Sequence, residues 1–365
     1  MQIAMIPQDY IICTTQEYSG TIQTDFVIKA VKLKNKTGEP LSIKEIAFEL
    51  FVQGEMIKQI SYKKEALNRL IDNFPKKIKS LDGWDSQLLI GREMFWDYNE
   101  LSEHVILLPN QETGIINEFF IVICENPINE LNIIVSYIEN GVLKTAEKHI
   151  PVIEYRTKNK YIFPAAGVWQ IYRNYDSIGA HRTQYSMEFA FDIGQLNPDS
   201  LFVYKSKMED EDFVHFGKDI LAIAGGIVVE SYNNVALNTS LTNAGNLSRE
   251  ELEQKEKIIT EAGNIPVRCG NYIIIKHDND EYSLYGHLLY NSLTVKTGDI
   301  VERGQVIGRI GNTGRSSRPH LHFQLMNKQD YLSARGLPCH FTNIVTAMNE
   351  PIDLVRKEYT IVLAK

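Results

Sequence analysis

Hydrophobic and polar positions alternate with a period of two over most of residues 1–153. Residues 46–52 show the pattern, and residues 131–137 repeat it just before the pair Asn140-Gly141. Such alternation is typical of strands that bury one face, and Asn-Gly is typical of the tight turn of a hairpin. The pattern therefore predicts a β-sandwich-like domain over residues 1–153.

One segment of this domain departs from the alternation. Apolar residues at helical spacing occur between Lys64 and Ile71, and Pro75 follows them. Because proline lacks a backbone donor and is disfavoured inside a helix, we expect a short helix that ends before Pro75.

The other conspicuous side chains of the first domain do not form a convergent set of ligands. We interpret His104 and His149 as structural. An aromatic group could either stack on a sugar or pack in the core, and packing is the favoured interpretation. This group consists of Trp84, Phe95, Trp96 and Tyr98.

A polar, charged segment at residues 154–160 is the candidate linker, and the pattern changes after it to short strands punctuated by glycines. We expect an alternating strand at residues 186–194, a strand pair with a glycine turn at residues 220–230, and a hairpin whose arms are residues 270–277 and 282–288. The second domain is therefore placed at residues 161–365, which makes the whole chain mainly β.

The stretch Arg318-Pro319-His320-Leu321-His322-Phe323-Gln324-Leu325 organises this second domain. Residues two apart in a strand project to the same face, so His320 and His322 share one side. The residues on the other side are apolar. In the strand expected at residues 186–194, Asp192 is likewise opposite an apolar face. These positions predict imidazoles and a carboxylate above an apolar floor.

Composition narrows the classes of function. The 365 residues are 44% hydrophobic and 23% charged, which is ordinary for a globular protein with two domains. The net charge of −8 offers no basic stripe for nucleic acid. No run of apolar residues is long enough to span a bilayer, and no secretory leader is visible, so the compartment stays open. The sequence also leaves the oligomeric state open.

Cysteine usage gives no sign of a disulfide framework or of a Cys-x-x-Cys site. The cysteines are scattered and lie mostly in apolar runs, so we expect buried free thiols. They are Cys13, Cys124, Cys269 and Cys339.

An ordered set of motifs in the second domain resembles the lysostaphin-type zinc metallopeptidases over about residues 161–341. The set comprises Phe163-Pro164, Phe189-Ala190-Phe191-Asp192-Ile193-Gly194, Ala224-Gly225-Gly226-Ile227-Val228, Tyr285-Gly286-His287-Leu288, Gly298-Asp299, Gly304-Gln305-Val306-Ile307-Gly308, Gly311-Asn312-Thr313-Gly314 and Pro319-His320-Leu321-His322-Phe323. The resemblance implies an antiparallel β-sheet metallopeptidase domain.

The resemblance also implies roles for particular residues. His181, Asp192 and His322 would bind Zn²⁺, and His287 and His320 would be the catalytic histidines. A catalytic zinc takes three protein ligands and keeps one open position, which agrees with such a set. Which of His287 and His320 is the general base stays open.

The first ligand departs from the commonest pattern of the family. There the first histidine lies four positions before the aspartate, and Glu188 occupies that position here. Other branches of the family carry a longer insertion after a His-Arg pair, so His181 is the expected ligand and Glu188 is the alternative.

Two segments exceed what the core strands need, residues 195–217 and residues 233–267. The second contains a capping-box start at Ser248 to a helix that runs toward Gly263, so we expect a helical insertion. Long insertions beside a site often form walls or lids, and a plain solvated helix is the alternative.

The resemblance implies a zinc-dependent endopeptidase that acts on bacterial peptidoglycan peptides, outside the cytoplasm if a leader was removed. The alternative from another class is a catalytically inactive binding or scaffold protein on the same fold. A lipoyl- or biotinyl-type carrier is a third interpretation, because residues 298–308 are similar to the half-motif of those domains. A carrier needs a modifiable lysine at a hairpin tip and no paired histidines, whereas this chain has the reverse.

Overall fold

The computed structural model describes residues 1–81, 83–176, 179–195, 209–236, 248–250 and 268–365. The chain forms two compact units. The first consists of Met1–Tyr155 with Thr183–Tyr185, and the second consists of Arg156–Arg182 with Ser186–Lys365. The boundary after Tyr155 falls inside the polar segment at residues 154–160.

The first unit is mainly antiparallel β-structure. Its strands are β1 (Gln2–Ile6), β2 (Ile11–Tyr18), β3 (Thr21–Lys34), β4 (Leu41–Val52), β5 (Glu55–Lys63), β6 (Ile106–Leu107), β7 (Glu112–Cys124), β8 (Glu130–Glu139) and β9 (Val142–Glu154). Its helices in the described residues are α1 (Lys64–Lys79) and α2 (Gly83–Ile90). The strand order is β1-β3-β2-β9-β8-β4-β5, with β6 on β4 and β7 on β3.

Two parts of this sheet face one another across a shared apolar core. Phe48 from β4 and Phe120 from β7 meet there, with ring centroids 5.3 Å apart. The predicted hairpin is confirmed, since β8 pairs with β9 from Glu139 and Val142 outward. Asn140 and Gly141 have φ angles of 49° and 76°, the left-handed conformations that a tight hairpin turn requires.

The predicted end of the helix is wrong. Helix α1 continues through Pro75 to Lys79. Proline costs a helix one hydrogen bond, but the last turns of α1 bury Phe74 and Ile78 in an apolar cluster of the first unit. Burial of such side chains contributes roughly 1.5–3 kcal/mol each, which offsets that cost.

The preference for core packing in the aromatic group is confirmed where the side chains are described. Phe95 and Trp96 are 6% and 3% exposed and pack edge to face. The side chain of Trp84 lies outside the described residues. His149 lies on the surface near Glu130.

The second unit is also built mainly of antiparallel strands. They are β10 (Gly167–Arg173), β11 (Phe191–Gly194), β12 (Asp219–Leu221), β13 (Gly226–Tyr232), β14 (Asn271–Lys276), β15 (Tyr282–Leu288), β16 (Ile300–Val301), β17 (Val306–Arg309), β18 (Leu321–Met326), β19 (Gly336–Leu337), β20 (Ile344–Thr346), β21 (Pro351–Ile352) and β22 (Ile361–Ala364). The main sheet has the order β16-β13-β14-β15-β18-β11-β10-β22-β20-β21, and β12 pairs separately with β17. The prediction of a mainly β chain is confirmed.

Two local predictions need correction. Residues 219–221 and 226–232 are strands, but β12 pairs with β17 while β13 pairs with β14 and β16, so they do not form a hairpin. The strand expected at residues 186–194 is shorter, because β11 begins only at Phe191 and the preceding residues form turns. The alternation in 186–190 reflects side chains buried from a turn.

The predicted hairpin of β14 and β15 is confirmed. So is the apolar floor: Phe191 of β11 and Phe323 of β18 are paired residues whose ring centroids are 5.1 Å apart. Tyr285 of β15 packs on Phe323 from the other side, with 5.4 Å between centroids. The central strands β15, β18 and β11 therefore share one buried aromatic layer, and their opposite face is free to present polar groups.

Much of both predicted insertions, and the helix expected after Ser248, lies outside the described residues. All four cysteines are free thiols; Cys13, Cys269 and Cys339 are buried and Cys124 is half-buried. Among the described residues, no helix has the length and apolar character needed to cross a membrane.

Candidate metal centre

The centre of the site is a carboxylate and an imidazole on neighbouring strands. Asp192 of β11 is paired directly with His322 of β18, and both side chains project away from the aromatic layer. His322 Nδ1 lies 2.9 Å from Asp192 Oδ1. Asp192 is 7% exposed and His322 is 3% exposed. Because the pair is buried in an antiparallel ladder, the register of the strands fixes the distance between the two side chains.

A third group joins them from a short 3-10 turn. His181 lies in the turn Ala180–Thr183, with Nε2 3.6 Å from Asp192 Oδ1. One potential ligand atom from each of His181, Asp192 and His322 lies within 4.8 Å of the others. Glu188 is buried but is not part of this group.

A hydrogen-bond relay fixes which nitrogen of His322 faces Asp192. The Gln324 amide nitrogen donates to the carbonyl of Ser186 at 3.2 Å, so the amide oxygen of Gln324 must face His322. That oxygen is 3.0 Å from His322 Nε2, which therefore carries a proton and donates it. When the ring carries only this one proton, Nδ1 is unprotonated and points at the carboxylate.

The proton position that these hydrogen bonds fix on His322 indicates whether the site suits a cation. A bare imidazole nitrogen and a carboxylate oxygen 2.9 Å apart are both acceptors and repel each other unless a proton or a metal ion lies between or beside them. The donor set of two imidazoles and one carboxylate is one that zinc takes in catalytic sites. The residues present therefore fit a zinc ion.

His287 lies at the end of β15 in a strained conformation. Its φ angle of 61° is in the left-handed region, where a non-glycine residue costs free energy and persists only when its surroundings enforce it. Its Nδ1–H donates to the carbonyl of Thr313 at 2.8 Å, and its backbone carbonyl accepts from Gly311 at 3.1 Å. These bonds leave Nε2 without a proton.

His320 precedes β18 and turns its ring toward the same carboxylate. Its Nδ1–H donates to the carbonyl of Arg318 at 2.8 Å, while Nε2 is 3.6 Å from Asp192 Oδ2. The rings of His287 and His320 lie 4.6 Å apart. Two imidazoles thus offer unprotonated Nε2 atoms at one side of the His181, Asp192 and His322 group.

Burial determines the protonation states of these histidines. It lowers the pKa of His181 to about 4 and also lowers the pKa values of His287 and His320. Burial alone would raise the pKa of Asp192, but the three adjoining imidazoles, His181 first among them, outweigh it and hold that pKa well below its usual value. Near neutral pH the site therefore combines an ionised carboxylate with neutral bases.

The structure thus brings together five of the residues that the sequence analysis proposed for the site, namely His181, Asp192, His287, His320 and His322. The sequence analysis missed the role of Gln324, although Gln324 shares the strand face of His320 and His322 by its spacing of two. The roles of the Thr313 carbonyl and of the buried His215 ring could not be found in this way, because neither follows from the spacing of residues along a strand.

Part of the second unit is similar to a known family of peptidases. Residues 255–334 match peptidase family M23. The match takes in 80 of the 365 residues. The matched range contains His287, His320 and His322, whereas His181 and Asp192 lie before it. The pairing of β11 with β18 connects Asp192 to this range, and His181 lies in a turn outside that pairing.

Relatives of the chain include a peptidoglycan DD-endopeptidase and lysostaphin. It is 40% identical to the peptidoglycan DD-endopeptidase ShyA of Vibrio cholerae over 99 residues, which is 27% of this chain and 20% of ShyA. It is 46% identical to lysostaphin of Staphylococcus simulans over 69 residues, which is 19% of this chain and 14% of lysostaphin. The chain therefore spans one fifth or less of the length of these relatives.

Among solved structures, the chain is similar to the catalytic domain of lysostaphin from Staphylococcus simulans. The identity is 21%, the match covers 48% of this chain and 88% of that domain, and the TM-score is 0.25.

Proposed function

We propose that the second unit is a zinc-dependent endopeptidase that hydrolyses peptide bonds in bacterial peptidoglycan. The observation that carries this proposal is the combination of a His181, Asp192 and His322 donor set with two neutral histidines whose Nε2 atoms are free to take a proton. The match of residues 255–334 to peptidase family M23 and the names of the relatives support it.

His181, Asp192 and His322 would hold the metal. When bound by three such ligands, zinc supplies a Lewis acid for the scissile carbonyl and lowers the pKa of water toward 7. The hydrogen bonds from Ser186 through Gln324 to His322 hold the ring so that Nδ1 faces Asp192. Groups that hydrogen-bond to metal ligands commonly orient the ligands in this way.

His287 and His320 would handle protons. Each donates Nδ1–H to a backbone carbonyl, so each offers Nε2 as a base. Their lowered pKa values keep them neutral near pH 7, the state a general base needs. After taking a proton, the imidazolium can donate it to the leaving amine or stabilise the developing oxyanion.

The names of the relatives support the substrate class. One is named a peptidoglycan DD-endopeptidase and another a glycyl-glycine endopeptidase, so the peptide bond named differs between them. We propose a peptide of the cross-linked wall as the substrate, which would place the working enzyme in the cell envelope.

The test is to incubate the zinc-loaded chain with purified peptidoglycan, with a cross-linked muropeptide dimer and with an oligoglycine peptide, and to follow the products by mass spectrometry. New amino termini that disappear when the metal is chelated support the proposal. Stoichiometric zinc without cleavage of any of these substrates would instead favour the inactive scaffold protein.

A further inference from the structure

His215 is a completely buried histidine outside the group of site residues described above. Its Nδ1 accepts a hydrogen bond from the backbone N–H of Gln195 at 3.0 Å, and its Nε2–H donates to the carbonyl of Pro319 at 2.8 Å. One neutral ring therefore connects two distant segments of the chain.

Each of the two segments lies next to one residue of the site, the first next to Asp192 and the second next to His320. Gln195 directly follows β11, the strand of Asp192, and Pro319 directly precedes His320. The ladder between β11 and β18 begins at Leu321, so strand pairing does not hold His320. The backbone N–H of His320 makes a long bond of 3.4 Å to the carbonyl of Gly311.

The surroundings of His215 are built to keep its ring in place. Tyr172 and Phe213 meet the ring edge to face, each with centroids 5.8 Å apart. Tyr172 also donates its hydroxyl to the carbonyl of Gln195 at 3.3 Å, and the Arg318 guanidinium lies 4.2 Å from the Tyr172 ring. The same small cluster thus fixes both segments.

The cluster also keeps His215 neutral. Burial lowers the pKa of His215 to about 4, and the nearby His320 and Arg318 act in the same direction. Protonation would remove the lone pair that accepts from Gln195, so the bridge exists only in the neutral form.

We propose that His215 is a positioning residue that sets the ring of His320 against Asp192. The inference rests on the proposed role of His320 in proton transfer. In this arrangement His215 acts on His320 through the backbone of Pro319.

The experiment compares His215→Phe, which keeps an aromatic ring but loses both hydrogen bonds, with His215→Gln, whose amide still offers a donor and an acceptor. We expect kcat on the muropeptide dimer to fall about 10- to 100-fold in His215→Phe, the scale of a misplaced catalytic group, with KM changed less than about twofold. Zinc content should stay at the wild-type level, and His215→Gln should recover part of kcat.

His277 offers a matched control in the same unit. It is also buried, donates Nδ1–H to the carbonyl of Gly225 and accepts from the Ser283 hydroxyl, each at 2.8 Å, but it contacts none of the site residues. His277→Phe should lower stability comparably and leave kcat unchanged. An equal loss of kcat in both phenylalanine variants, loss of zinc parallel to activity in His215→Phe, or full kcat in a folded His215→Phe would overturn the inference.

A structural measurement separates this inference from the proposed function. The distance between His320 Nε2 and Asp192 Oδ2, 3.6 Å here, should increase in a crystal structure of His215→Phe and stay in His277→Phe. An unchanged distance in His215→Phe overturns the positioning role, whether or not the wild-type chain cleaves peptides. Absence of cleavage by the wild type, with the distance responding as expected, would refute only the peptidase activity.

Discussion

Asp192 and His322 are directly paired residues on neighbouring antiparallel strands, and their side chains meet with Nδ1 2.9 Å from Oδ1. A shift of either strand by one residue would turn the site residue of that strand to the opposite face and put an apolar side chain in its place. The sheet therefore encodes the centre of the site, while His181 is added from a turn outside the ladder.

Alanine at His181, Asp192 or His322 should each lower zinc content and activity together, because three ligands with one open position are what a hydrolytic zinc requires. The zinc content of each variant is measured by elemental analysis and compared with its hydrolysis rate. Full zinc retention in His181→Ala with loss in Glu188→Ala would show that the first ligand is Glu188.

His287→Ala and His320→Ala should separate chemistry from metal binding. We expect most of the zinc to remain while kcat falls about 100-fold or more, the scale of a lost general acid-base or oxyanion partner. The same two measurements apply. A parallel loss of zinc in either variant would make that histidine a ligand rather than a proton carrier.

Gln324→Leu should weaken zinc binding by about 10- to 100-fold, because the leucine cannot accept from His322 Nε2 and the ring loses the bond that orients Nδ1. Competition with a chromophoric chelator measures the affinity. Gln329→Leu, in an exposed glutamine just after the same strand, is the control and should bind zinc like the wild type. Equal affinities in all three proteins would leave the relay without a role.

Gly314→Ala should destabilise the loop that holds His287. An added Cβ would lie 2.2 Å from the backbone nitrogen of Gly270, so the loop carrying the Thr313 carbonyl must move. We expect a loss of unfolding free energy of about 1–3 kcal/mol together with a lower kcat. Gly298→Ala, at a φ of 95° with open space around it, isolates the cost of the backbone conformation and should keep kcat.

Stability should decrease on acidification between about pH 6.5 and pH 4, the ordinary pKa of histidine and that of buried His215. Burial lowers the pKa values of His215 and His277, so across this window the unfolded chain binds more protons than the folded one. The unfolding free energy therefore decreases as the pH is lowered, and His215 accounts for up to about 3 kcal/mol of this decrease. Urea unfolding at several pH values should show a smaller loss for His215→Phe. Parallel curves for the two proteins would contradict this.

The sequence by itself determined the repetitive parts of the structure. Alternation predicted the hairpin of β8 and β9 and the hairpin of β14 and β15, because a period of two and the turn residues are local properties. The spacing of His320 and His322 likewise placed both imidazoles on one face above an apolar layer. The resemblance of the motifs to a known family, and not the alternation, implied the zinc ligands His181, Asp192 and His322.

The tertiary structure decided whatever depends on residues far apart in the chain. Alternation at residues 186–190 predicted a strand, but a side chain can be buried from a turn as well as from a strand. Pro75 stays inside α1 because core packing outweighs one lost hydrogen bond. The bridge from His215 to Gln195 and Pro319 leaves no trace in the sequence, since a hydrogen bond to a backbone group does not depend on which side chain the partner carries.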